Sequence, residues 1–155
     1  MDITMKQIPD GAEKQAAVRQ ILEALPDWFE IEESREAYIR ESAQQLCFGA
    51  YDKDECVGFL CLKETGKATV ELAVMGVLKS HHRKGVGKML FDAAKQTAQS
   101  LGYAFMQVKT VQMGVYPEYD DTNRFYLALG FQEFEVLPTL WDEANPCQIY
   151  VMALA

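Results

Sequence analysis

The residues best suited to chemistry in this 155-residue chain surround a single glycine pair, Gly85-Val86-Gly87. A strand-like run, Thr69 to Leu78, leads through Lys79-Ser80-His81 into His82-Arg83-Lys84-Gly85-Val86-Gly87-Lys88. A helix pattern begins there, with Val86, Met89, Leu90, Ala93, Ala94, Thr97, Ala98 and Leu101 at three- and four-residue steps. A strand, a glycine loop and a helix N-terminus together make an anion site. First-turn amides have no acceptor inside the helix, and the helix dipole adds about half a positive charge. Glycines let a phosphate approach without a Cβ in the way. Arg83, Lys84 and Lys88 supply formal charge in a chain whose net charge is −8.

Other phosphate-binding patterns fit poorly. The Gly-x-x-x-x-Gly-Lys-Ser/Thr spacing of a triphosphate loop is missing, and there is one glycine pair rather than three spaced glycines. The acidic balance argues against a nucleic-acid partner, which needs a basic face. The four cysteines, Cys47, Cys56, Cys61 and Cys147, and the adjacent His81 and His82 lack metal-ligand spacing. No metal is expected, and three of the cysteines read as reduced core residues.

The elements that must position this loop follow from periodicity. Ile3 to Ile8 alternates as a strand, and Val18, Ile21, Leu22 and Leu25 mark a helix stopped by Pro26. Ser34 is placed to cap a second helix carrying Tyr38, Ile39 and Leu46. Leu46 to Tyr51, Cys56 to Lys63 and Thr69 to Leu78 read as an antiparallel meander joined by short turns. After the long helix, which Gly102 should end in a left-handed conformation, come a strand, Tyr103 to Val111, and a short helix, Asp121 to Leu129. Phe131 to Leu137 and Gln148 to Leu154 complete the set. The fold class is α/β (α+β): a mixed, mostly antiparallel sheet of about seven strands flanked by about four helices, in a single domain over residues 1–155.

The run Val77-Leu78-Lys79-Ser80-His81-His82-Arg83-Lys84-Gly85-Val86-Gly87-Lys88-Met89-Leu90 resembles the central motif of the GNAT superfamily of N-acetyltransferases, Gln/Arg-x-x-Gly-x-Gly/Ala after a valine-ended strand. Arg124-Phe125-Tyr126-Leu127-Ala128-Leu129-Gly130-Phe131 resembles the family's later motif, an aromatic-Tyr pair followed by three residues and Gly-Phe. The two stand in the right order, and the element order agrees along nearly the whole chain. His82 departs from the usual Gln or Arg, and Tyr119 stands where many relatives have a cofactor-contacting asparagine, for which Asn123 or Thr122 is the substitute.

The resemblance implies an N-acetyltransferase that uses acetyl-CoA. Its pyrophosphate would lie on the main chain of His82, Arg83, Lys84, Gly85, Val86, Gly87 and Lys88, with Asn123 as a further contact. The strand amides around Val77 and Leu78 would hold pantetheine and the thioester oxygen, and Gly76 suggests a bulge or close approach there. Tyr126 is the candidate acid for the leaving thiolate. Phe125, Leu129 and Tyr126 cannot all face one way, so the phenol is expected in a cleft while the other two pack. Glu71 is the candidate base: alternation puts Glu71, Ala73, Met75 and Val77 on one strand face, and the position coincides with the base glutamate of some members.

Acceptor selection falls to two stretches that join a tryptophan to a carboxylate, Pro26-Asp27-Trp28-Phe29-Glu30 and Pro138-Thr139-Leu140-Trp141-Asp142. The leading expectation is direct transfer to a primary amine of a small molecule in a ternary complex. The alternatives are a protein or peptide acceptor, and a non-catalytic CoA-binding sensor. Family members are often dimers, so the resemblance admits a homodimer, while the residues themselves do not set the oligomeric state. Met1 to Asp10 does not read as a signal peptide and no apolar run could span a bilayer, which points to the cytoplasm.

Overall fold

A β-bulge in β4 and one interrupted strand pairing shape the sheet around the glycine loop. The computed structural model describes residues 2–154; Met1, which opens the Met1–Asp10 stretch, and Ala155 lie outside them. In chain order the elements are β1 (Ile3–Ile8), α1 (Gly11–Glu23), α2 (Glu32–Ser42), β2 (Leu46–Asp52), β3 (Glu55–Gly66), β4 (Thr69–Val77), α3 (Val86–Ser100), β5 (Phe105–Val111), α4 (Pro117–Leu129), β6 (Gln132–Asp142) and β7 (Asn145–Ala153). The strands form one sheet in the order β1-β2-β3-β4-β5-β7-β6. Every neighbouring pair is antiparallel except β4 and β5, which α3 connects in parallel.

The order of elements agrees with the periodicities, and the boundaries differ at the starts of α2 and α4. Ser34 lies inside α2, which starts two residues earlier behind Ile31 with no side-chain cap. Glu32 and Glu33 occupy its first turn, where the helix dipole favours negative charge. Helix α4 begins at Pro117, four residues before Asp121, because proline suits the first helical position, where no amide partner is needed. Gly102 and Gly130 take the left-handed conformation just past α3 and α4, with φ of 89° and 106°.

Each sheet face has its own core. On one, α3 buries Val86, Leu90, Phe91, Ala94 and Ala98 against Leu60, Leu62, Val70, Leu72, Met106, Val108 and Tyr150. On the other, α1 buries Val18, Ile21 and Leu22 against Phe59, Cys61 and Val74. Each such fully buried aliphatic side chain contributes about 1.5–3 kcal/mol of transfer free energy. All four cysteines are buried and free; Cys47 stands directly across from Cys61.

The register of β3 on β4 passes from Cys61↔Val74 to Leu62↔Leu72, so Ala73 is an extra residue on β4. Val70 and Leu72 therefore face α3, while Val74 and Gly76 face α1. Met75 and Val77 return to the α3 side. The bulge lies at Ala73 and not at Gly76. A Cβ on Gly76 would stand 3.0 Å from both Ile21 and Leu25, so that glycine exists to let α1 sit close on the strand.

Candidate active site

Pairing between β4 and β5 covers only Thr69↔Phe105, Val70↔Met106 and Glu71↔Gln107. Beyond Glu71 the two strands part. The β5-facing edge of β4 from Leu72 to Val77 then has no strand partner among the described residues, and a cleft opens toward the N-terminus of α3. Strand amides point alternately to the two edges. The Leu78 amide donates to the Val57 carbonyl on β3 at 2.9 Å, so the Val77 amide points into the cleft and the Leu78 amide is not available there.

At the cleft's open end the glycine loop presents a row of amides. Those of Arg83, Lys84, Gly85, Val86, Gly87 and Lys88 have no protein acceptor among the described residues, and the first helical bond outside α3 runs from the Met89 amide to the Gly85 carbonyl at 3.0 Å. Arg83 and Gly85 are both left-handed, with φ of 61° and 79°. Alternating hands curl successive amides into a concave nest that suits an anion. The two glycines have different jobs. Gly85 has open space around its Cα, so its conformation is what requires glycine. A Cβ on Gly87 would stand 3.0 Å from Phe125 Cζ, so Gly87 permits close contact between α3 and α4.

The charged side chains of the loop are less uniform than their types suggest. The Lys88 ammonium is 2.8 Å from Asp92, whereas Arg83 and Lys84 form no ion pair among the described residues. His82 turns back to the strand: its Nε2 donates to the Val77 carbonyl at 2.6 Å, which fixes the proton on that nitrogen. Its ring also meets Trp28 edge-on at 5.8 Å. His81 Nε2 bonds Asp52 Oδ2 at 2.9 Å, tying the loop to the end of β2 and holding the Asp52 carboxyl below its ordinary value.

Tyr126 lies deeper than Phe125 and Leu129, the reverse of the expected arrangement. Its ring packs 5.8 Å from Phe131 and 6.1 Å from Tyr150 in the α3-side core. Its hydroxyl makes no hydrogen bond to protein among the described residues. Burial pushes this phenol well above the ordinary tyrosine value, with smaller contributions from Tyr38 and Tyr119. Tyr38 belongs to α2, on the other side of the sheet. Tyr38 and Tyr119 are thus the ionisable neighbours that bear on the Tyr126 phenol, whose ring itself packs in the α3-side core.

Glu71 lies at the fork. The extra residue at Ala73 puts it on the α1–α2 face, while Met75 and Val77 lie on the α3 face, so the uniform alternation expected from sequence does not hold. Its carboxylate pairs with the Lys109 ammonium of β5 at 3.2 Å, with side chains 15% and 27% exposed. Tyr38 is close enough that Glu71 contributes to raising its phenol, after burial.

Asn123 is not open to a cofactor. It is wholly buried, its amide nitrogen donates to the carbonyls of Val111 (2.9 Å) and Tyr119 (2.6 Å), and its oxygen accepts from the Tyr150 hydroxyl at 2.6 Å. Both of its protons and an acceptor site are spent holding α4 on β5 and β7. Tyr119 is likewise committed. Its hydroxyl donates to the Trp28 carbonyl (2.8 Å) while the Trp28 indole donates to the Glu118 carbonyl (3.2 Å). Burial, then Tyr38 and the Glu118 and Glu30 carboxylates, push its phenol up to about 12.

This reciprocal clamp holds the Trp28 stretch against the start of α4 and beside His82 of the loop, and Asp27 is spent on Lys79 at 2.9 Å. The Trp141 stretch belongs instead to the end of β6, where Asp142 accepts from Asn145 across the turn to β7 and Leu140 and Trp141 are about half exposed. Two open cavities, of about 390 Å3 beside Gln45 and Lys63 and about 480 Å3 beside Arg19 and Glu36, have no residue of the glycine loop or of α4 in their lining.

Tyr38 and Lys109 carry no functional signal in the sequence. Tyr38 has the spacing of an ordinary apolar position of an amphipathic helix. The alternation Met106, Val108, Thr110 does place Lys109 on the opposite face of β5, but nothing in the sequence sets β5 beside Glu71.

Comparison with known proteins shows the family and the fold. The pattern of the Acetyltransferase (GNAT) family matches residues 16–131, which include the loop, the cleft and α4. The N-acetyltransferase YsnE of Bacillus subtilis, itself uncharacterised, is 28% identical over 98 residues, 63% of this chain and 63% of its own length. A Desulfovibrio desulfuricans protein assigned to the GNAT acetyltransferases superposes with a TM-score of 0.86 at 17% identity, covering 99% of this chain and all of that one. An aminoglycoside 6'-N-acetyltransferase complexed with coenzyme A gives 0.75 at 20% identity, covering 100% and 98%. The stretch matched in the curated relative is thus under two thirds of its length, while the solved structures are matched nearly end to end. The family pattern spans about three quarters of the residues, and the chain belongs to the GNAT family of acetyltransferases.

Proposed function

We propose that this protein transfers the acetyl group of acetyl-CoA to a primary amine of a small molecule, directly, in a ternary complex. The observation that carries the reading is the row of six unpaired amides, Arg83 to Lys88, at the mouth of a cleft between parted strands. Members of this family take their acetyl group from acetyl-CoA, and the nest is suited to its pyrophosphate. The free edge of β4 suits pantetheine, and the Val77 amide is positioned to polarise the thioester carbonyl.

Transfer needs a proton at one atom and its removal at another. Tyr126 keeps its phenol protonated through burial, so it can give a proton to the leaving sulfur. Glu71 lies on the opposite face, where the amine would enter beneath Trp28 and Tyr38, and takes the ammonium proton directly or through water. Nitrogen then attacks the thioester carbon, the C–S bond breaks as sulfur takes the Tyr126 proton, and the second proton of the attacking nitrogen leaves through solvent to restore the phenol, giving a neutral amide and free coenzyme A.

The test is thiol release from acetyl-CoA across a panel of small amines, with peptides bearing free N-termini alongside. Amine-dependent release supports the reading. Release with peptides alone would move the acceptor to protein. Tight acetyl-CoA binding with no transfer to any amine would make the protein a CoA sensor.

A further inference from the structure

The acceptor face of the cleft is not simply acidic. Glu71 is the carboxylate at the fork, and the Lys109 ammonium lies 3.2 Å from it. Lys63 stands directly across from Glu71 on β3, hence on the same face, because opposed residues of an antiparallel pair share a side. Glu71 is therefore flanked in the sheet by Lys63 on β3 and Lys109 on β5, and of the two only Lys109 forms an ion pair with it among the described residues. A purely cationic amine approaching it meets a carboxylate that is already neutralised, with a second cation nearby. At Glu71 itself such an arrangement gives little attraction to a simple amine, although Glu41, Glu30 and Glu118 lie near Tyr38 and Tyr119 on the same side.

An acceptor with an ammonium and a carboxylate on one carbon meets the pair differently. Its ammonium can lie on Glu71 while its carboxylate lies on Lys109, so four alternating charges replace two. The pair is mostly withdrawn from water, with side chains 15% and 27% exposed, which strengthens charge-assisted hydrogen bonds at this spot. A ligand lacking the carboxylate offers Lys109 no partner of its own.

We propose that the acceptor is a zwitterion, a free α-amino acid or a compound with the same amine–carboxylate pair, and that Lys109 selects it by binding the carboxylate. The inference rests on the acetyl-transfer reading and narrows its substrate class. A protein N-terminus, whose first carboxylate is an amide, would be rejected at the same place.

The experiment compares each of the twenty common amino acids with its amide and its decarboxylated amine. It uses the full chain with acetyl-CoA, as wild type, Lys109→Gln and Lys109→Arg. For the best amino acid, kcat/KM should exceed that of its amide by roughly tenfold or more. Lys109→Gln should shrink this ratio to under about threefold, chiefly through KM of the acid, and Lys109→Arg should keep most of it. An amide or amine used as well as the acid by wild type would overturn the proposal. So would an unchanged ratio in a folded Lys109→Gln protein.

If no amine is acetylated although CoA binds, the acetyl-transfer reading fails, and binding still decides the present one. Saturation-transfer NMR on the CoA-loaded protein should detect the amino acid in preference to its amide, with the preference lost in Lys109→Gln. Equal or absent binding of both would refute it.

Discussion

Gly87 lies against the ring of Phe125: a Cβ on the glycine would stand 3.0 Å from Cζ and 3.2 Å from Cε1 of that ring. The contact joins the N-terminus of α3, which carries the amide nest, to α4, which carries Tyr126. Gly85, two residues earlier, meets nothing within 4 Å but has φ of 79°. The two positions should therefore fail differently. Gly85→Val should cost about 1–2 kcal/mol through left-handed strain and weaken acetyl-CoA binding more than tenfold by reshaping the nest. Gly87→Val should be destabilised by its clash with Phe125, and partly relieved by Phe125→Leu. Calorimetric titration and thermal melts of the four proteins separate the two effects.

Asn123 should prove to be a stability residue. Asn123→Ala leaves the Tyr150 hydroxyl and the Val111 carbonyl without their buried partner, a loss of about 2–4 kcal/mol. Denaturant melts should show it. The fraction that remains folded should bind acetyl-CoA nearly as wild type does; a tenfold loss of affinity at unchanged stability would return Asn123 to the cofactor site.

Tyr126→Phe keeps the packed ring and removes a hydroxyl with no protein partner among the described residues. Stability near neutral pH should hardly change, acetyl-CoA affinity should stay, and turnover should fall by about 10²-fold. The raised phenol value sets the sign of a pH effect. The fold favours the neutral phenol, so the stabilisation is complete below the ordinary tyrosine value of ~10 and is lost as pH rises through the higher folded value. Wild type should lose stability above pH ~10 more steeply than Tyr126→Phe, and no falling limb of kcat below that pH should belong to this residue. Alkaline melts and a pH–rate profile check both.

Glu71→Gln should lower turnover and move the rising limb of the pH–rate profile upward, with partial rescue at high pH, where solution supplies free amine. A loss by the same factor at every pH would make Glu71 an acceptor-binding group and leave deprotonation to water. The variant should also be less stable than wild type, because the Lys109 ammonium loses its partner.

Much of this architecture was legible in the sequence for a physical reason. The amphipathic stripe of Val86 to Leu101 and the alternation of Ile3 to Ile8 each bury one face, and burial imposes the period that reveals the element. The glycine loop was legible because a left-handed residue before a helix leaves few choices of side chain. The face of Glu71 was not. It turns on one inserted residue, Ala73, and a bulge leaves no mark in an alternating apolar pattern when the buried residues simply change cores. Asn123 misled for a related reason: an amide side chain suits a ligand and a buried strut equally, and only its neighbours Tyr150 and Val111 decide. Lys109 meets Glu71 only through tertiary pairing of β4 with β5.

The central claim is that the donor lies along the parted strands with its pyrophosphate on the loop amides. Amide chemical-shift mapping tests it most directly. Adding coenzyme A to 15N-labelled protein should shift the resonances of Arg83 to Lys88 most strongly, together with Val77 on the cleft edge. Pantetheine, which has the thiol arm and no pyrophosphate, should shift Val77 while leaving the loop largely unmoved. Strong shifts confined to another surface, or loop shifts of equal size with pantetheine, would contradict the account.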